Sequence, residues 1–259
     1  MTLSGRYALV TGAGSGLGKA AALKLAREGA HVAILSRTAE EVEAVTAQIR
    51  DIGREALALT ADVADETQMQ RAFDEIEESF GRLDICFANA GINGVWAPID
   101  DLKPEEWDDT IRVNLRGTYL TLHHAVPLMK DRGGSIAITS SINGTRTFTS
   151  GGATAYAATK AAQLAMTQML AIELAKYRIR VNAICPGAIE SNIDENTVRR
   201  DTEEAAEPAI YPEGNIPLTD GEPGRAEDVA DLVAFLASDA SKHISGTPIW
   251  IDGAQSLLI

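Results

Sequence analysis

Cysteine, histidine and basic residues are all scarce in this chain, and each shortage argues against a class of function. Cys86 and Cys185 are the only cysteines in 259 residues, and both lie in apolar segments that read as strands. They are expected to be buried, reduced thiols rather than a bridge or a redox pair. The four histidines, His31, His123, His124 and His243, show no spacing of the His-x-x-x-His kind, so no metal site is expected. Lysine and arginine number 23 against 37 aspartates and glutamates, a formal charge of −14, which argues against nucleic acid or an anionic membrane surface as a partner. No apolar run approaches the roughly 18 residues that a membrane-spanning helix needs. The N-terminus lacks the basic-then-apolar layout of a secretory leader, so a cytoplasmic location is expected.

What the chain has in quantity is short apolar runs with helical patterns between them. Runs at 7–10, 31–35, 56–60, 84–88, 135–139, 179–185 and 247–251 do not alternate with polar residues, as suits strands covered on both faces. Helical periodicity fills the intervals near 16–28, 38–52, 65–80, 105–130, 155–176 and 226–237. The predicted fold is α/β, a doubly wound, mostly parallel, seven-stranded sheet of the Rossmann type. With 45% hydrophobic residues the chain can bury one large core, and no linker or repeat divides it, so 1–259 is expected to form a single domain. The one irregular stretch, 190–224, carries Pro208, Pro212, Pro217 and Pro223 among acidic residues and reads as a substrate lid.

The first strand runs through Gly12, Gly14, Gly16 and Gly18 into Leu17, Ala20, Ala21 and Leu25 at helical spacing. Glycines at such a turn permit backbone angles closed to other residues and let a ligand approach, while the free N–H groups of the helix start attract anions. Gly12, Ser15, Gly16, Leu17 and Gly18 are therefore the expected cradle for a dinucleotide's phosphates. Ligands of open α/β sheets lie at the carboxyl ends of the strands, where the sequence places Asp62-Val63, Asn89-Ala90-Gly91, Ser140-Ser141 and Pro186-Gly187. Four such endings on one rim predict a single extended site.

Tyr156 and Lys160 are four residues apart on a predicted helix and so share one face. A phenol, with a reference pKa of about 10, is a poor base at neutral pH, and a nearby cation favours its ionised form. The pair can then deliver a proton to a carbonyl or take one from an alcohol.

On Thr11-Gly12-x-x-x-Gly16-x-Gly18, Asn89-Ala90-Gly91, Asn114, Ser141, Tyr156-x-x-x-Lys160 and Pro186-Gly187, the chain resembles the classical short-chain dehydrogenases/reductases from end to end. The resemblance implies an NAD(P)-dependent oxidoreductase that interconverts a ketone and a secondary alcohol. It implies Tyr156 as general acid/base, Lys160 lowering the pKa of Tyr156 and fixing the ribose, Ser141 holding the substrate oxygen, and Asn114 in a proton relay through water to Lys160. By the same resemblance Asp62 holds the adenine ring, Asn89 braces the sheet beside the cofactor, and Ile189 with Ser191 meets the nicotinamide carboxamide. Ser191 departs from the threonine common there. Ser140 rivals Ser141, but Ser141-Ile-Asn-Gly144 fits the family's Ser-x-x-Gly run. The separation from Ser141 to Tyr156 is longer than usual, which implies an insertion near 146–152 bordering the substrate. A homotetramer is implied too, and Ala157, Ala161, Ala162, Leu164, Ala165, Met166, Met169 and Leu170 spread around their helix more widely than one stripe.

Cofactor choice turns on charge at the end of the second strand, where an acidic residue would bind ribose hydroxyls and repel an extra phosphate. Ser36-Arg37-Thr38 offers no carboxylate. Arg37 can bond a 2′-phosphate and Ser36 leaves room for it, so NADP is expected, with NAD as the alternative. Asn93, Gly94, Trp96, residues 143–149, Ala188 and the lid, with Tyr211 as a wall, are the expected substrate boundary. The alternative of a different class is a catalytically silent NADP-sensing or partner-binding protein, which the intact Asn114, Ser141, Tyr156 and Lys160 set disfavours.

Overall fold

The computed structural model describes residues 2–190, 197–207 and 215–258. Its frame is a parallel seven-stranded sheet in the order β3-β2-β1-β4-β6-β7-β9. The strands are β1 (Tyr7–Thr11), β2 (His31–Ser36), β3 (Ala56–Thr60), β4 (Ile85–Ala88), β6 (Gly134–Thr139), β7 (Ile179–Pro186) and β9 (Pro248–Ile251). Two short strands, β5 (Val95–Trp96) and β8 (Val198–Arg199), pair with each other outside it. The chain reverses its winding between β1 and β4, the switch point at which open α/β sheets hold ligands.

The unalternating runs have a simple cause: successive residues feed two different cores. Ala8, Val10, Val32 and Ile34 pack with α1 (Gly16–Arg27), α2 (Ala39–Asp51) and α7 (Ala226–Ala237). Leu9, Ala33, Leu35 and Cys86 pack on the other face, with α3 (Glu66–Phe80), α5 (Gly117–Ala125) and α6 (Thr154–Leu174). Cys86 and Cys185 are free and buried. Burial pushes the Cys86 thiol up to about 12 and the Cys185 thiol up to about 11, which leaves both unreactive near neutral pH.

Two expectations need correction. The helix expected over 105–130 is broken: α4 (Pro104–Ile111) passes through a π-turn at Arg112–Arg116 before α5, and a 3-10 turn follows at Pro127–Met129. Gly117 N–H reaches back five residues to the carbonyl of Arg112, the bond that defines such a bulge. The described part of 190–224 is also less irregular than its composition suggests, since β8 docks in parallel register on β5, Val95 against Val198 and Trp96 against Arg199. Among the described residues no helix is long and apolar enough to cross a membrane.

Candidate active site

The glycine turn is built by close backbone approach. Gly12 and Gly16 have φ of +64° and +50°, angles that a side chain strains. A Cβ at Gly18 would fall 2.1 Å from the carbonyl oxygen of Gly12, so Gly18 serves the packing of α1 on the turn rather than facing the ligand. Ser15, the N-cap of α1, makes no side-chain cap bond, and the N–H groups of the first turn remain for an anion. From this turn a cavity of about 920 Å³ runs along the strand ends, lined by Gly12, Ser15, Gly16 and Leu17 at one end and by Ser141, Tyr156 and Lys160 at the other. An elongated cleft of this size, starting at a phosphate cradle, fits a dinucleotide. Asp62, Val63, Ala90, Gly91, Pro186, Gly187 and Ile189 line it as well, whereas Ser191 and Tyr211 lie outside the described residues.

Asn89 ties the strand ends together. Its Nδ2 donates to the carbonyl of Thr11 at 3.1 Å, and its Oδ1 accepts from Thr139 Oγ1 at 3.1 Å. The two serines take separate tasks. Ser140 Oγ donates to the carbonyl of Lys160 at 2.8 Å and is spent on packing α6 against β6. Ser141 Oγ accepts from Asn143 N–H at 3.1 Å, which orients the oxygen and leaves its own proton for an acceptor in the cavity.

Tyr156 and Lys160 share the inner face of α6, with Lys160 Nζ 5.3 Å from the centroid of the Tyr156 ring. Lys160 is buried at 3% exposure, donates to the Thr139 carbonyl at 2.8 Å, and is driven down to about 8 by loss of solvent. A buried ammonium keeps its proton best beside an anion, so an ionised Tyr156 and a charged Lys160 stabilise each other.

Asn114 stands in the π-turn, fully buried behind Gly91 rather than in the cavity wall. Its Oδ1 accepts from Ile92 N–H at 2.8 Å, and its Nδ2 donates to the Ile92 carbonyl at 2.8 Å and to Thr159 Oγ1 at 3.2 Å. Its own carbonyl already accepts from Thr118 Oγ1 and Gln163 Nε2. The carboxamide oxygen and Lys160 Nζ flank Gly91, lying 3.1 Å and 3.7 Å from the place a Cβ there would occupy.

At the far end of the cleft, Ser36 and the exposed Arg37 line the cavity, and so does Glu41 from the first turn of α2. A carboxylate, absent from 36–38, thus lines the cavity from five residues beyond the end of β2. Asp62 accepts from Ala64 N–H at 3.0 Å and is bridged by Arg112 at 3.0 Å. Burial pushes its carboxyl up, and these bonds, with the charges of Arg112 and Arg37, outweigh that and hold it below the usual range.

The substrate end is walled by Asn93, Trp96, Asn143, Thr147, Thr149 and Ala188. Gly94 is not in the wall. Arg199, Thr202 and Glu203 also line the cavity, from within the stretch the sequence marks as a substrate boundary. The expected insertion borders the cavity through Thr147, Thr149, Ser150 and Gly151, and Arg146 pins it by stacking 3.4 Å over Trp250.

The described part of 190–224 is fastened by Asn93 Nδ2 donating to Thr197 Oγ1 at 2.7 Å, and by Arg200, which forks onto Glu106 at 2.9 and 3.0 Å and also bonds Asp101. Such bidentate geometry fixes orientation as well as charge. Arg200→Met is expected to raise KM for substrate several-fold while leaving the cofactor dissociation constant unchanged, a split that steady-state kinetics and cofactor titration will read.

The family description that matches the chain, over residues 12–254, is enoyl-(acyl carrier protein) reductase. A levodione reductase of Leifsonia aquatica is 38% identical over 258 residues, covering 97% of this chain and 94% of the relative. A 3-ketoacyl-ACP reductase of Sinorhizobium meliloti 1021 is 61% identical, with a TM-score of 0.95 over 98% of this chain and 100% of its own. Two further solved chains carry nicotinamide cofactors. A 3-ketoacyl-(acyl-carrier-protein) reductase of Brucella melitensis with NADH is 32% identical, TM-score 0.86, over 98% of this chain and 99% of its own. A short chain dehydrogenase of Burkholderia cenocepacia with NADP is 37% identical, TM-score 0.85, over 98% of each.

Proposed function

This chain belongs to the short-chain dehydrogenase/reductase family, and from that premise we propose that it is an NADP(H)-dependent oxidoreductase interconverting a ketone and a secondary alcohol. The observation that carries the reading is the convergence of Ser141, Tyr156 and Lys160 on one end of a cleft whose other end is a phosphate cradle. Gly12, Ser15, Gly16 and Leu17 would hold the dinucleotide's phosphates, and Pro186, Gly187 and Ile189 would border its nicotinamide. The bound nicotinamide supplies the hydride.

The chain's own residues handle the proton. In reduction Tyr156 Oη gives its proton to the carbonyl oxygen, while Ser141 Oγ donates a hydrogen bond to the same atom as negative charge builds there. Lys160 stabilises the phenolate left behind and positions the ribose. Asn114 keeps the loop after β4 beside Lys160, and a water at its carboxamide oxygen returns a proton to the pair. In oxidation each step reverses. Arg199, Thr202 and Glu203 would border the substrate and help exclude water from it. The relatives named for 3-ketoacyl and levodione substrates act on ketones, and a ketone is assigned here. The test is a screen of ketones and secondary alcohols with both cofactors, followed by nicotinamide absorbance; transfer to no carbonyl would refute it.

NADP(H) is favoured through Arg37, whose guanidinium suits a 2′-phosphate. Arg37→Ala is expected to weaken NADPH about tenfold, the loss of one charge-assisted contact, with NADH altered less than about twofold. Equal losses in a fluorescence titration would remove the argument. A cytoplasmic homotetramer belongs to the same reading, since Met169 and Ile172 on α6 and Tyr119 on α5 are 71%, 82% and 50% exposed in the single chain and call for cover. A monomer at micromolar concentration in sedimentation would contradict it.

A further inference from the structure

The geometry points to Glu41 as a second determinant of cofactor selectivity, opposed to Arg37. We propose that its carboxylate accepts the 2′-hydroxyl of NAD(H) and repels the 2′-phosphate of NADP(H), so that selectivity is a balance of the two side chains. This deepens the nicotinamide reading above and rests on it.

Three observations converge. A Cβ at Gly14, in the phosphate turn, would fall 2.5 Å from Glu41 Oε2, 2.9 Å from Glu41 Cβ and 3.2 Å from Ser36 Oγ. The glutamate therefore lies against the turn, and its carboxylate and the Ser36 hydroxyl border the same point beside Gly14, near the end of β2 where a dinucleotide's ribose would sit. Second, Thr38-Ala39-Glu40-Glu41 has the spacing of a capping box, in which the glutamate would turn to its own helix start. Thr38 instead caps α2 without a side-chain bond, and Glu41 lines the cavity. Third, among the described residues Glu41 is in no ion pair, and it lines the same cavity as Ser36 and Arg37.

The chemistry then separates the two cofactors. A ribose hydroxyl can donate to the carboxylate, whereas a phosphate monoester carries about −1.5 to −2 charges and has only repulsion to offer it. Gly14 is needed for this placement, because any side chain there would displace the carboxylate.

The test is fluorescence titration of the purified protein and of Glu41→Gln with NADPH and NADH, at low and high salt, with thermal unfolding as a check on folding. Removing the charge is expected to tighten NADPH about tenfold and to weaken NADH about threefold, the NADPH effect shrinking as salt screens it. Identical factors for both cofactors, or no change in either, would overturn the role of Glu41 while leaving the nicotinamide reading intact. Failure of the unaltered protein to bind either cofactor would overturn the reading itself and this inference with it.

Discussion

Tyr156→Phe is expected to lower kcat for ketone reduction by about 10³-fold, within the range that loss of a positioned general acid costs, while cofactor affinity changes little. Tyr156 and Lys160 are the α6 residues that line the cavity, and Lys160 Nζ is engaged by the Thr139 carbonyl. Phenylalanine keeps the ring, and with it the packing against Trp96 at 6.2 Å between centroids, so the loss isolates the proton. Residual turnover would come from Ser141 and from the fixed approach of the reactants. Single-turnover kinetics with bound cofactor will separate this from a binding defect; a fall of less than about tenfold would move the acid elsewhere.

Lys160→Met is expected to reduce kcat to a similar degree and, in the opposite direction, to stabilise the cofactor-free protein. Loss of solvent holds Lys160 at about 8 against its ordinary 10.5, equivalent to roughly 3 kcal/mol of strain on the charged form at neutral pH. Removing the donor from the Thr139 carbonyl returns about 1 kcal/mol of that. The net gain of about 2 kcal/mol should raise the melting temperature by roughly 4–8 °C for a chain of this size. The sign with pH is fixed. Between about 8 and 10.5 the unfolded lysine holds its proton and the folded one does not, so the penalty fades as pH rises through that window. The advantage of the methionine variant should therefore narrow from pH 7 toward pH 10.5, which differential scanning calorimetry can follow.

Legibility of the fold in the sequence followed from burial. Strands fed by two cores read as unbroken apolar runs, and all seven strands of the main sheet, with most of the helices, appear where those runs and the intervening periodicity put them. The π-turn had no such signal. Arg112–Arg116 is held open by contacts from Asn114 to Ile92, Thr159 and Gln163, partners 22 to 49 positions away that no local window contains. The pairing of β5 with β8 is two residues long on each strand, too short to print a period.

The site divides in the same way. Turn glycines, strand-end motifs and the spacing of Tyr156 to Lys160 are local, and their positions follow from helix and strand geometry. Ser141 is favoured over Ser140 by the local Ser-x-x-Gly run, whereas the bond from Ser140 to the Lys160 carbonyl, 20 positions away, has no local signal. Glu41 has no signal at the end of β2, because it stands in the first turn of α2 and reaches Gly14 only through the fold. Arg112 on Asp62 was hidden for a related reason, as the two lie 50 positions apart.

Everything catalytic in this account depends on a phenol that the neighbouring ammonium makes easier to ionise. The direct measurement is ultraviolet difference titration of the phenolate, taking protein minus Tyr156→Phe, with Lys160 present and again with Lys160→Met. The Tyr156 phenol should ionise at clearly lower pH when the lysine is there. Titration at the same pH in both backgrounds would contradict the mechanism.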